Sequence, residues 1–202
     1  MKSLISVLML TVIWTGTIAQ DSKLQLAFKS SYAKESKSDF TGAIKDLKGV
    51  YSETNYELNL RLGWLHYSAG LFTESMAYYK KAIDLMPASV EAKFGYVYPA
   101  AAVGNWDQVK KQYENILRID AKNSQAHYRL GLIFYGREEF DKALQHFQVG
   151  FNLYPFDYDF NLMMAWTSLK MGKMREAKVL FNKVLLLSPD DESAIEGLGL
   201  IK

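Results

Sequence analysis

Residues 124–157 read SQAHYRLGLIFYGREEFDKALQHFQVGFNLYPFD, and the pattern in this stretch recurs on both sides of it every 34 residues. Phe147 stands in register with Tyr79, Tyr113 and Phe181, each in the middle of an apolar-periodic run. Phe140 aligns with Phe72, Trp106 and Met174; two positions earlier Glu138 aligns with Gly70, Gly104 and Gly172. Leu130 aligns with Leu62, Tyr96 and Met164, and glycine follows at Gly63 and Gly131. Pro155 aligns with Pro87 and Pro189, with Ala121 in the remaining slot. Several columns in one register are the signature of a repeat array.

Each unit predicts two antiparallel helices of three to four turns, joined where a glycine or a polar pair permits the turn. One hairpin cannot bury its own apolar face, so the units must stack on one another. Four units begin at 56, 90, 124 and 158. The stretch from about 24 to 55 supplies an earlier hairpin through Phe40, Ala43, Leu47 and Val50, with a connection two residues shorter. Residues 192–202 supply a closing helix, with Leu198 and Gly199 in the slots of Leu62 and Gly63.

These columns resemble the tetratricopeptide repeat family. The unit 56–89 carries Leu62-Gly63, Gly70, Phe72, Tyr79, Ala82 and Pro87; the unit 124–157 carries Leu130-Gly131, Phe134, Phe140, Ala143, Phe147 and Pro155. The unit 158–191 keeps Ala165, Gly172, Ala177, Phe181 and Pro189, while 90–123 keeps only Gly104, Trp106 and Tyr113. The resemblance implies an all-α fold, a right-handed superhelical solenoid of helix hairpins over residues 20–202. It implies little about the ligand, since a fold does not fix a function.

The first nineteen residues read as an export signal. Lys2 precedes an uncharged apolar run from Leu4 to Trp14, and Thr17 and Ala19 suit cleavage after Ala19. Eleven residues fall short of the about 20 that span a bilayer as a helix. The expected product is an exported periplasmic or extracellular protein without a membrane span after cleavage. The sequence has no cysteine, which excludes disulfides and thiol chemistry. A net charge of +2 in 202 residues gives no case for nucleic acid.

No catalytic constellation, metal set or cofactor motif emerges, so the sequence predicts a protein that is not an enzyme. Two of the three histidines, His66 and His127, fall in core columns and read as packed residues; His146 has no ligand-type residue at helical spacing. Asp157 and Asp190-Asp191 precede predicted helices and read as caps. Lys80-Lys81, Lys110-Lys111 and Arg137-Glu138-Glu139 read as solvated charge.

The resemblance implies a concave surface lined by positions 2, 5, 9, 12 and 13 of each first helix. Here slots 5, 9 and 12 hold Phe28 and Tyr32 with Glu35, then Leu60, Trp64 and Tyr67, then Phe94 and Tyr98 with Ala101. Tyr128, Leu132 and Tyr135 follow, then Leu162 and Trp166 with Leu169. Members that clamp an acidic C-terminal tail use lysine, asparagine and arginine here; Leu60, Trp64 and Gly95 do not fit, and only Arg129 does. The expected partner is an apolar or amphipathic protein segment, with a glycan as a second class. Internal packing of the same stripe is the alternative. Gly95 and Pro99 predict a kinked, thinly packed helix in the unit 90–123. Ile195, Leu198, Leu200 and Ile201 make the closing helix apolar and point to homo-oligomerisation through it. The function expected is a scaffold or adaptor of the cell envelope, with a self-associating structural protein as the alternative.

Overall fold

The structure, a computed structural model, describes residues 22–201, and all the regular elements among them are helices. They are α1 over 22–35, α2 Phe40–Lys48, α3 Tyr56–Ser68, α4 Phe72–Leu85, α5 Val90–Ala102 and α6 Trp106–Ile119. Then come α7 Ser124–Gly136, α8 Phe140–Leu153, α9 Tyr158–Lys170, α10 Met174–Leu187 and α11 Glu192–Gly199. The expected signal at 1–19 lies outside the described residues.

The two helices of a hairpin begin by different means in α3–α4, α7–α8 and α9–α10, whereas α2 is capped like a first helix, Asp39 accepting from Gly42 N at 2.9 Å. First helices start at a side-chain cap: Asn55, Ser89, Asn123, Asp157 and Asp191 each accept a hydrogen bond from the amide three residues on, at 2.7–3.0 Å. A cap of this kind contributes about 1 kcal/mol. Leu71, Glu139 and Lys173, which precede α4, α8 and α10, make no such bond. Those helices and α6 follow a tight turn in which Gly70, Gly104, Glu138 and Gly172 all adopt positive φ, as does Ser38 before α2. The next amide reaches back five residues, as in Leu71 N to His66 O at 2.8 Å and Glu139 N to Phe134 O at 2.9 Å. This closes the carbonyls at the end of the first helix. Glu138 thus has the left-handed backbone that glycine gives elsewhere in its column.

The chain divides into two compact units, one through Trp106 and one from Asp107. In the first, Ala27, Ala43, Ile44, Leu47, Leu58, Leu62 and Leu65 form the core between α1, α2 and α3. The α2 helix has nine residues where α4, α6, α8 and α10 have fourteen, so Tyr51 leaves the helix and packs edge-on against Tyr78, with ring centroids 5.8 Å apart. The column at Tyr79 supplies the wedge between neighbours. A Cβ on Gly63 would lie 2.9 Å from the Tyr79 ring and one on Gly95 would lie 2.1 Å from it. Gly95 is therefore where α5 accepts the tyrosine, and α5 runs unbroken through Pro99, with Gly95, Val97, Pro99 and Ala100 buried. The thin packing expected there is not found.

The second unit repeats the device. Phe147 meets Gly131, Phe181 meets Gly197, and the Phe160 ring crosses Gly150. Phe147 and Phe181 are fully buried. In this unit α7 packs on α8, α8 on α9, α9 on α10, and α10 on α11.

Candidate partner-binding face

One column of buried polar residues fixes how each first helix leaves its loop. Asn59, Lys93, His127 and Asn161 stand 34 residues apart and are all buried. Each reaches the carbonyl six residues before it: Asn59 to Glu53 O at 3.1 Å, Lys93 to Pro87 O, His127 Nε2 to Ala121 O at 3.1 Å, and Asn161 to Pro155 O at 3.1 Å. The asparagines and Lys93 also donate to the carbonyl of the capping residue. Burial without such bonds would cost each polar group a few kcal/mol, about 1–3 in proteins. Burial also lowers the Lys93 ammonium below its ordinary value.

With the loops held, face positions of neighbouring first helices come together. Within the unit through Trp106, Tyr67 lies 5.8 Å from Trp64, 5.8 Å from Phe72 and 5.7 Å from Tyr98 between ring centroids. Phe28 and Tyr32 lie 6.5 Å apart. Tyr32, Trp64 and Tyr98 are 55%, 39% and 47% exposed, while Phe28, Leu60, Tyr67 and Phe94 are half-buried. Beneath the rings Arg61, itself buried, stacks 3.8 Å from the Tyr32 ring centre and lies 2.5 Å from the Glu35 carboxylate. The other Glu35 oxygen accepts from Trp64 Nε1 at 2.5 Å. Burial alone would raise the Glu35 carboxyl; the contacts from Arg61 and Trp64 outweigh it and hold it below the usual range.

Within the unit from Asp107 the same slots are quieter. Tyr128, Leu132, Tyr135, Leu162 and Trp166 are all half-buried. Tyr128 packs edge-on to Phe160 at 5.5 Å, Tyr135 to Phe140 at 5.5 Å and Trp166 to Phe181 at 5.2 Å. Trp166 Nε1 donates to Ser193 Oγ at 2.9 Å, and the Tyr128 hydroxyl reaches Asp159 at 3.5 Å. None of the fifteen residues in the expected face slots is fully buried.

Besides the buried polar column, two polar arrangements were not foreseen. One is the Arg61–Glu35 pair, which joins two hairpins across the shortened connection. The other is a histidine pair: His127 Nδ1 and His146 Nδ1 are 2.9 Å apart, and the His146 ring stacks on Phe134 at 5.4 Å. His127 donates through Nε2 to Ala121 O, so its Nδ1 carries the lone pair and His146 Nδ1–H is the donor. Burial, then the neighbouring His127, pushes the His146 pKa down to about 4. His66 is packed, with Nδ1 2.7 Å from Leu62 O. Among the described residues no group of three or more histidine or acidic residues could hold a metal ion. No helix among them is long and apolar enough to cross a membrane.

Models described as the tetratricopeptide repeat match residues 56–89, 100–157 and 158–191, more than half of the chain. The chain belongs to the tetratricopeptide repeat family. Tetratricopeptide repeats are in general protein-interaction scaffolds. The TPR repeat-containing protein YpiA of Bacillus subtilis (strain 168) is 25% identical over 131 residues, 65% of this chain and 31% of that protein. Protein O-mannosyl-transferase TMTC1 of Homo sapiens is 24% identical over 147 residues, 70% of this chain but 16% of that one. The chain thus spans under a third of these relatives, and the transferase in the second name is said of that protein. Among solved structures, the MamA protein superposes with TM-score 0.72 at 23% identity, covering 82% of this chain and 92% of that one. A tetratricopeptide repeat protein of Parabacteroides merdae ATCC 43184 gives 0.76 at 20% identity, covering 87% and 71%. At these identities the structures share the fold with this repeat chain.

Proposed function

We propose that this repeat protein is a non-catalytic adaptor of the cell envelope that binds an apolar or amphipathic segment of another protein along its first helices. The observation that carries the reading is the exposure of Tyr32, Trp64 and Tyr98 beside the half-buried Tyr67. Large rings left in water at one slot of successive helices are costly unless a partner covers them, and Trp and Tyr are preferred anchors at interfaces. Replacing Trp64, Tyr98 and Tyr135 with alanine should abolish capture of the partner from envelope extract while circular dichroism stays unchanged. Loss of helicity instead would make these residues part of the core and end the reading. The envelope location rests on Lys2, the run Leu4–Trp14 and Ala19. Fractionation of cells with and without the first nineteen residues tests it, since both forms remaining in the cytoplasm would refute export.

A second reading, self-association, is favoured by Val179, Leu186, Ile195 and Leu200, which leave α10 and α11 with exposed apolar side chains, Leu186 at 73%. Light scattering that finds only monomer at high concentration would exclude it, and a dimer lost in Leu186→Lys would support it.

A further inference from the structure

We propose that the face shared by α3 and α5 selects a basic amphipathic segment, whose lysines or arginines meet carboxylates while its apolar side chains cover the rings. This rests on the reading above that the face binds a partner, and adds the charge of that partner.

The charges of α3 and α5 are divided by sign. Both cations are withdrawn from water: Arg61 lies under Tyr32 and pairs with Glu35, and Lys93 is buried against the carbonyls of Pro87 and Ser89. His66, also on α3, is buried on its own helix's carbonyl. Both acids, Glu57 and Glu91, are exposed, and neither forms an ion pair with a described residue. The contact Glu91 makes is with the neutral Tyr56 hydroxyl, at 3.5 Å. Every exposed formal charge on these two helices is therefore negative, whereas α1 carries exposed Lys23 and Lys29.

The acids and the rings share a face. In the other unit the slot equivalent to Glu91 is Asp159, which meets the Tyr128 hydroxyl from the preceding first helix. Position two of one helix therefore borders position five of the helix before it. Tyr67 and Tyr98 join positions twelve and nine in the same way. A first-turn acid also complements the helix dipole, yet the dipole gives no reason for both cations to be buried. The faces of Trp and Tyr rings are themselves negative, so rings and carboxylates attract a cationic side chain together and repel an anionic one. An acidic tail is disfavoured for the same reason.

The test uses the full chain and three labelled amphipathic helical peptides of one length, made of leucine with lysine, glutamine or glutamate. Anisotropy should show the lysine peptide binding best, with affinity falling as salt rises. Glu57→Gln together with Glu91→Gln, both exposed and harmless to the fold, should weaken it about tenfold and leave the glutamine peptide unchanged. Trp64→Ala with Tyr98→Ala should weaken all binding. If the glutamine peptide binds as tightly as the lysine peptide and still needs Trp64 and Tyr98, the charge selection falls and the aromatic face stands. Salt-sensitive binding of the lysine peptide that ignores Trp64 and Tyr98 overturns both. Failure of all three peptides to bind a chain of intact helicity overturns the charge selection, and extract capture then decides the face separately.

Discussion

The unit through Trp106 and the unit from Asp107 are built from the same hairpin, yet they use their ninth positions and their buried polar groups differently. In the first unit the ninth positions, Tyr32, Trp64 and Tyr98, are exposed; in the second, Leu132 and Trp166 are half-buried, with Trp166 held by Phe181 and Ser193. The first unit holds its interior polar contact with fixed charges, Arg61 on Glu35, while the second uses a pair of imidazoles. The backbone rules of the repeat are thus indifferent to which face residue or polar pair is installed. Surface chemistry and acid response can vary between units while the register stays constant.

The largest effect expected is on what the units share. Phe147→Ala should cost about 3–5 kcal/mol, as for a buried aromatic truncated to alanine, and Tyr79→Ala a similar amount. Urea unfolding would show it, and a trivial loss at either site would deny that the wedge is common to both units. Next comes the fixed charge of the first unit. Glu35→Gln strands Arg61, and because Glu35 is partly exposed the loss should be about 2–3 kcal/mol, below that of a fully buried pair. Hydrogen exchange should place the loosening in α1–α3 and leave α7–α10 protected.

The imidazole pair should respond to acid in the opposite unit. His146 in the fold titrates near 4, against an ordinary value of 6.5, so the unfolded chain binds the extra proton first as pH falls. The stability this group contributes is complete above about 6.5 and is lost as pH drops towards 4, on the order of 3 kcal/mol. Lys110 and Lys142, which lie over Phe134 beside the pair, oppose a further positive charge, while Glu114 favours it. His146→Gln keeps a donor for His127, matches Gln112 in register and should flatten the pH dependence. An unchanged slope would remove His146 as its source. The smallest effect is at a turn: Glu138, with φ of 60°, sits where glycine is relaxed, so Glu138→Gly should raise stability by about 1 kcal/mol. No gain in the melting midpoint would mean the turn is not strained.

The sequence disclosed what depends on the chemical identity of one residue in a column. The wedge was visible because Tyr79, Tyr113, Phe147 and Phe181 are all aromatic, and the turn because three of its four slots are glycine. The carbonyl-binding column escaped notice because asparagine, lysine and histidine share only a donor. The His127–His146 pair escaped because its members are 19 residues apart, on two helices, a separation that means nothing until the hairpin is closed. Arg61 and Glu35 were hidden by the connection that is two residues short. Gly95, read as a sign of thin packing, marks the closest approach in its helix, because the ring it accepts lies on the preceding one.

The bonds from Asn59, Lys93, His127 and Asn161 each close a loop of only six residues. A bond so short in sequence costs little chain entropy to form, and its acceptor is a backbone carbonyl that any preceding repeat can supply. The exit angle of α3, α5, α7 and α9 is thus written in a short stretch that straddles the boundary between two repeats. A unit could be duplicated, deleted or exchanged for another without rewriting the loop that aims it. The array can lengthen by copying, while its faces diverge to suit what they hold.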